Sequence, residues 1–361
     1  MTDFVKETHN LLYDLLRASL WGMANHISSM LAEQFSQVMT LAEEQTVAGF
    51  VFDVLKDMQI EGMKDRTPIY QAIGLSENIK QQNDIVNREL AWFVEKTDKA
   101  GLQCIVMKGQ TMATQFSKPE LRQSGDIDFL MQQHIGINNV FPDAGIPDML
   151  NEKEFAFKHN GVTYELHSRL TDFGCKRHQK VWENAVSEEW NQEHYVDVNG
   201  TKVRTLSPTF NAAYLFVHLF FHLIREGISL RQFCDWAVFL HANHDKIDRR
   251  RLTGLMMKMD TLKGYKAFGC ILVDKLGLPE AEFPMELDES DRQYEEKILH
   301  DVFHGGNFGK KNHCAKSSLG YKFETLRMTT RNCIRYYKLA PSEMRMMIPK
   351  MVGINVKLAL G

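Results

Sequence analysis

Ile-Val-Met-Lys-Gly-Gln-Thr-Met-Ala-Thr-Gln-Phe-Ser-Lys-Pro-Glu-Leu-Arg-Gln-Ser-Gly-Asp-Ile-Asp-Phe-Leu-Met, residues 105–131, decides how the rest of the chain is read. It opens in an apolar run, Gln103 to Met107, that stops at Lys108-Gly109, and it closes in a second, Gly125 to Met131. Both have the length and composition of short strands. Side chains alternate across a strand, so Asp126 and Asp128 share one face while Ile127 and Phe129 point to the other, into a core. Two carboxylates then converge on one point, and without a cation one of them would have to take up a proton. Oxygen ligands on a rigid strand suit Mg²⁺, with Mn²⁺ as the alternative, an ion that completes its shell with water and substrate phosphates. That is the arrangement metal-assisted phosphoryl transfer uses. Further on, Val162 to His167 reads as a strand with Glu165 and His167 on one face, which makes Glu165 the candidate third carboxylate. Lys108-Gly109 ends a strand, where a glycine permits close backbone approach and a lysine offsets phosphate charge.

Outward from this stretch the chain divides into four expected parts: an N-terminal helical region, 1–98; an α/β core, 99–206; a helical region, 207–308; and a basic helical tail, 309–361. The first shows apolar residues at helical spacing, among them Leu11, Leu12, Leu15, Leu16 and Leu20, then Ile85, Leu90, Phe93 and Val94. In the core, Asn160-Gly161 and Asn199-Gly200 each separate two alternating runs. Asn-Gly accepts the positive φ angles of a two-residue turn, so two β-hairpins are expected. Ser207-Pro208 reads as a cap and first turn, after which helical periodicity runs through His244 to about Leu276. The fold class is therefore α/β, of the α+β kind, a small mixed sheet flanked by helical regions.

Net charge is −3 and 44% of residues are apolar, so the chain can bury more than one core and gives no global reason to bind nucleic acid or an anionic membrane. The tail differs: from Gly309 onward 11 Lys and Arg stand against two acids. Arg327, Arg331, Arg335 and Lys338 are spaced to share a helix face, which reads either as a solvated face or as a contact for a polyanion such as RNA. The six cysteines show no CxxC spacing. The first residues lack the basic and apolar segments of an export signal, and the apolar run from Ala212 to Leu223 is too short to span a bilayer, so a cytoplasmic protein with no membrane partner is expected.

The succession Met-Lys-Gly, Phe-Ser-Lys-Pro-Glu-Leu-Arg, Ser-Gly-Asp-Ile-Asp-Phe-Leu and Tyr-Glu-Leu-His-Ser-Arg-Leu resembles an uncharacterised bacterial nucleotidyltransferase family of the DNA polymerase β-like superfamily. That family's pattern is similar to Leu-Lys-Gly, Tyr-Pro-x-Pro-x-x-Arg, Asp-Ile-Asp-Leu-Leu-Val and Glu-Leu-His-Trp. The resemblance continues through Gly200, Ser207-Pro208, His218, His222 and Leu230-Arg-Gln-Phe-Cys-Asp235, covering roughly residues 85 to 245. The chain departs from it at Phe116-Ser117, where the family often has Tyr-Pro, and the wider superfamily usually carries Gly-Ser or Gly-Gly in place of Lys108-Gly109. The resemblance implies that Asp126, Asp128 and Glu165 bind metal and carry catalysis. Lys108, Gly109, Arg122, Ser124, His167, Arg231 and Asp235 would surround the nucleotide and its phosphates. The implied activity is transfer of a nucleoside monophosphate from an NTP, such as ATP, to an acceptor that the sequence does not identify: a small molecule, a protein or an RNA.

Other readings stand beside this one. His218 and His222, four apart on a helix, could ligate a metal or simply pack. Arg231 and Asp235 could form a helix-surface ion pair. His244-Asp245, with His218 and Asp248 or Asp260, suggests an HD-type metal phosphohydrolase. A nucleotidyltransferase-like binding module without activity would keep the fold alone. Replacing Asp126 or Asp128 by alanine is expected to leave the fold intact if the pair serves metal binding.

Overall fold

The computed structural model describes residues 3–22, 29–132, 136–147, 150, 153–305 and 318–360. It divides into two compact units: Met1–Leu170 with Glu193–Leu206, and Thr171–Gln192 with Ser207–Gly361.

The first unit opens with α1 (Asp3–Trp21), β1 (Ser29–Leu31), α2 (Ala32–Glu44), α3 (Ala48–Leu55), β2 (Gln59–Glu61) and α4 (Thr67–Lys99). The expected helical region is thus interrupted by β1 and β2, a three-residue parallel pair. On α4 the buried residues Ala72, Ser76, Ile79, Asn83, Val86, Leu90, Phe93 and Thr97 recur every third or fourth position, the single stripe that a helix lays on a sheet.

The sheet beneath α4 is built from β3 (Cys104–Met107), β4 (Asp126–Met131), β5 (Glu154–His159) and β6 (Val162–His167), in the order β3-β4-β6-β5. The short helices α5 (Gly109–Ala113) and α6 (Ile137–Val140) lie in the connections. β4 runs antiparallel to β3 and parallel to β6, while β5 and β6 form a hairpin. Its turn residues Asn160 and Gly161 have φ of 47° and 82°, the expected two-residue turn. Asn199 and Gly200, at 50° and 82°, close the second hairpin, β7 (Tyr195–Val198) with β8 (Thr201–Arg204).

Alternation on β4 sends Ile127, Phe129 and Met131 into one apolar cluster with Val86, Leu90 and Phe93 of α4 and with Tyr164 and Leu166 of β6. Phe129 is fully buried, its ring 4.7 Å from that of Phe93. Truncating such a side chain costs about 3–5 kcal/mol. The opposite face of β4 is left to Asp126 and Asp128.

The second unit is helical: α7 (Lys176–Glu189), α8 (Pro208–Arg225), α9 (Leu230–Asn243), α10 (Arg249–Lys258), α11 (Leu262–Asp274), α12 (Glu289–Arg292), α13 (Glu295–Gly305), α14 (Ser318–Arg335) and α15 (Pro341–Leu360). Residues on every side of α8 are buried, and α9, α10, α11 and α14 pack on it. Pro208 begins α8 as expected, but the Ser207 hydroxyl does not cap it. Instead it donates to the buried carboxylate of Glu189 at 2.8 Å. α9 starts with a capping box from Ser229 and Gln232, and α10 with Asp248 accepting the Arg251 N–H.

The basic tail separates into parts. Lys310, Lys311 and Lys316 lie outside the described residues. Arg327 and Arg331 are exposed on α14, while Arg335 pairs with Asp301 at 2.8 Å. Lys338 falls past the end of α14 in a 3-10 turn, so the basic row on the helix stops at Arg335. No helix among the described residues is long and apolar enough to cross a membrane.

Candidate functional site

The polar face of the four-stranded sheet carries the candidate site, and its geometry follows from the parallel register of β4 and β6. Asp128 lies opposite Glu165, and Leu130 opposite His167. Because β6 alternates, Glu165 and His167 rise on the face that Asp128 occupies. Asp128, Glu165 and His167 each offer one ligand atom within 4.8 Å of the others, and among the described residues they form the one group of three or more metal-ligating side chains so close together.

Asp128 is 2% exposed and His167 1%. The Glu165 side chain keeps 27% of its surface, so the group opens to solvent on that side. His167 Nε2 sits 2.8 Å from Asp128 Oδ1 and 3.7 Å from Glu165 Oε2. Its Nδ1 is buried without a hydrogen-bond partner, 3.6 Å from Glu154 Oε2.

Lys108 completes the arrangement. It ends β3 with φ 52° and ψ −145°, a backbone that residues with a side chain rarely adopt and that costs of order 1–3 kcal/mol. Gly109 follows at φ 44°, where an added Cβ would come within 3.2 Å of the Asp126 carbonyl oxygen. This tight turn brings the Lys108 ammonium 2.9 Å from Asp128 Oδ1. Burial alone would push the Asp128 carboxyl up; the Lys108 charge and the His167 hydrogen bond and charge outweigh it and hold the carboxyl well below its usual range. Burial works against the His167 cation, yet its hydrogen bond to Asp128 and the Glu165 carboxylate beside it raise its pKa above the ordinary imidazole value. Asp128 is therefore an anion held between the Lys108 ammonium and the His167 imidazole, and a second acid, Glu165, stands beside them.

Of the other expected site residues, Asp126 is the first residue of β4, two before Asp128 and on the same face, opposite Thr163. It is not a member of the close group. Arg122 is 4% exposed, and its guanidinium donates to the Ser124 hydroxyl at 2.8 Å. The Arg122 carbonyl accepts from Asn83 of α4, which ties this loop to the helix. Arg231 and Asp235 stand one turn apart on α9 in the second unit, Asp235 buried. The His218 and His222 rings lie 4.2 Å apart between centroids, tilted by 59°, and His222 Nδ1 meets Glu226 at 3.1 Å. His244 and Asp245 are exposed, and His244 Nδ1 faces the His241 carbonyl at 2.8 Å. Among the described residues no three metal-ligating side chains gather at either place.

The alternation of Val162 to His167 exposes His167 as a companion of Glu165. Its pairing with Asp128, and the nearness of Glu154, depend on the order of strands in the sheet, which no local pattern displays.

The sequence matches, over residues 32–271, a family described as an uncharacterised nucleotidyltransferase. That span reaches beyond the motifs on both sides. No curated protein matches. A solved structure described as an antigenic nucleotidyltransferase-like protein from Paracoccidioides brasiliensis is similar over 56% of this chain and 97% of its own, with 14% identity and a TM-score of 0.32.

Proposed function

The chain belongs to this uncharacterised nucleotidyltransferase family, and we propose that it transfers a nucleoside monophosphate from an NTP to an acceptor hydroxyl or phosphate, with a divalent cation held by Asp128, Glu165 and His167 and by Asp126 at the edge of the group. The observation that carries this reading is the close set of two carboxylates and an imidazole on one sheet face. The donor set fits the ion: two carboxylate oxygens and a nitrogen within 4.8 Å of one another, with one of the two acids open to solvent. When bound, Mg²⁺ or Mn²⁺ supplies charge neutralisation for the triphosphate and a lower pKa for the attacking hydroxyl.

The chain's own groups do the rest. Asp128 and Glu165 fix the position of the charge, and the rigid register of β4 and β6 holds them there without reorganisation. Before an ion binds, the His167 imidazole holds the Asp128 carboxylate in place. Lys108 balances Asp128 while the triphosphate is away, and its ammonium is placed to turn to a phosphate oxygen when one arrives. The acceptor oxygen then bonds to the α-phosphorus, the bond to the bridging oxygen breaks, and pyrophosphate leaves. Arg122 and Ser124 brace each other beside β4, and Arg231 and Asp235 are assigned to the nucleotide pocket on the family resemblance alone. The likeness in motif order supports a polymerase β-like ancestry.

The test is label transfer with NTP carrying radioactive phosphorus at the α or at the γ position, offered with Mn²⁺ and separate pools of sugars, proteins and RNA. Transfer of α label with release of pyrophosphate is expected. Transfer of γ label would make the protein a kinase, and release of label to water alone a phosphohydrolase. Binding of NTP without transfer to any pool would favour the inactive binding module.

A further inference from the structure

A concave site lies within the helical unit. α10, α7 and the first turn of α8 enclose a cavity of about 470 Å³, within the range of small-molecule sites. Its cationic wall is α10, where Arg250, Gly254 and Lys258 follow one another at four-residue spacing and so share a face. Arg251 also lines it and is taken up by Glu188 of α7 at 2.6 Å. Among the described residues neither Arg250 nor Lys258 has an ion-pair or hydrogen-bond partner, so two positive charges face the cavity uncompensated. Val181 and Ala185 of α7, Phe210 of α8 and Leu255 of α10 give the same cavity apolar lining.

Gly254 leaves the cationic wall of the cavity without a side chain between its two charges. Glycine is the residue least suited to a helix interior after proline. Close helix packing often explains such a glycine, but here an added Cβ would meet nothing within 4 Å. Its φ is not positive, so the backbone does not call for it either. What the missing side chain leaves is room between Arg250 and Lys258.

We propose that this cavity binds a phosphorylated small molecule with an apolar or ring-bearing body: the phosphate between Arg250 and Lys258 over Gly254, the body against Val181, Ala185 and Leu255. A small ligand is favoured over a nucleic-acid strand because the site is a hollow of about 470 Å³ with two unpaired cations on one wall and apolar lining beside them, not an extended basic track.

Phenyl phosphate is the probe, titrated by calorimetry into the full-length protein in metal-free buffer without NTP, with inorganic phosphate and a short single-stranded RNA alongside. Saturable binding of phenyl phosphate, tighter than that of inorganic phosphate, is expected. The Arg250→Ala/Lys258→Ala double variant should weaken it at least tenfold, as loss of charge-assisted hydrogen bonds does. Arg249→Ala should not, since Arg249 points elsewhere and donates to the Ala281 carbonyl at 2.7 Å. Gly254→Leu guards against misfolding: it should hold or raise the melting temperature, by helix propensity, while abolishing binding. Equal binding by wild type and Gly254→Leu, or no saturable binding by wild type, overturns the proposal. RNA binding more tightly than phenyl phosphate with the same dependence on Arg250 and Lys258 would overturn it in favour of a nucleic-acid surface. Because neither metal nor NTP is present, failure here is separate from failure of the transferase reading.

Discussion

Asp128 Oδ1 lies 2.8 Å from His167 Nε2, between two side chains that are each all but fully buried on adjacent parallel strands. The same oxygen is 2.9 Å from the Lys108 ammonium. A carboxylate so placed is part of the folded core's charge balance as well as a candidate ligand.

Substitution of Asp128 is therefore expected to affect stability, contrary to what the motif alone suggests. Asp128→Ala leaves Lys108 and His167 facing an empty place, and removing one partner of a buried pair costs about 3–5 kcal/mol. Asp126→Ala, at the half-buried start of β4, should cost less than Asp128→Ala. Chemical unfolding in metal-free buffer separates the two. The depressed Asp128 carboxyl has a sign that can be checked: its contribution is present above the ordinary carboxylate pKa of about 3.9 and is lost as pH falls. The acid limb of the stability profile should accordingly flatten in Asp128→Asn.

Lys108→Met removes the internal cation from Asp128. Mn²⁺ affinity in the absence of nucleotide should rise, because the ion no longer competes with an ammonium 2.9 Å away. Affinity for an NTP should fall, by roughly tenfold if one charge-assisted bond to phosphate is lost. Electron paramagnetic resonance of free Mn²⁺ reads the first and calorimetry the second. A fall in both would assign Lys108 a structural part only.

Much of this site was legible in the residues and the missing part has a definite cause. Asn160-Gly161 and Asn199-Gly200 announced their hairpins because only a few residues tolerate the turn's positive φ. The Asp-Ile-Asp alternation announced a strand with one polar and one buried face, and Ile127 and Phe129 do enter the core. That His167 faces Asp128, however, is set by β6 lying next to β4, a pairing of residues 39 apart that periodicity cannot show. Charge spacing misled on the tail for a related reason: Arg335 and Lys338 fit one helical row on paper, but α14 ends at Arg335, which turns to Asp301.

Glu295 offers a pH test in the second unit. Burial and the neighbouring Asp274 carboxyl push it up to about 7, against the partial relief given by Lys275. A carboxyl raised on folding supports the fold fully below its unfolded pKa of about 4.3, and that support is lost as pH rises to 7. Glu295→Gln should gain stability relative to wild type as pH climbs from 5 to 8, with little difference at pH 4. Parallel melting curves of the two proteins across that range would contradict the assignment.

Glu343, at the start of α15, is fully buried and accepts the backbone N–H groups of Gly174 and Cys175, ahead of α7, while its Oε2 meets His178 Nδ1 at 3.2 Å. Glu343→Gln turns an acceptor-only group into one that also donates, against donors that cannot reciprocate. A loss of about 1.5–3 kcal/mol is expected from weakened charge-assisted bonds. Hydrogen exchange should show α15 and the start of α7 opening together; loss of protection in α15 alone would argue against the link.

The central claim is that the acidic group binds a nucleoside triphosphate with a divalent cation. Thermal unfolding of wild type and Glu165→Gln against ATP, GTP, CTP and UTP, each with and without Mg²⁺, tests it most directly, since Glu165 keeps 27% of its side-chain surface and its loss should spare the fold. A ligand at about 100 times its dissociation constant adds roughly 2.7 kcal/mol, a shift of several degrees. Such a shift is expected for wild type with at least one NTP and Mg²⁺ together, and its loss in Glu165→Gln. An equal shift in both proteins, or a shift that needs no metal, would contradict it.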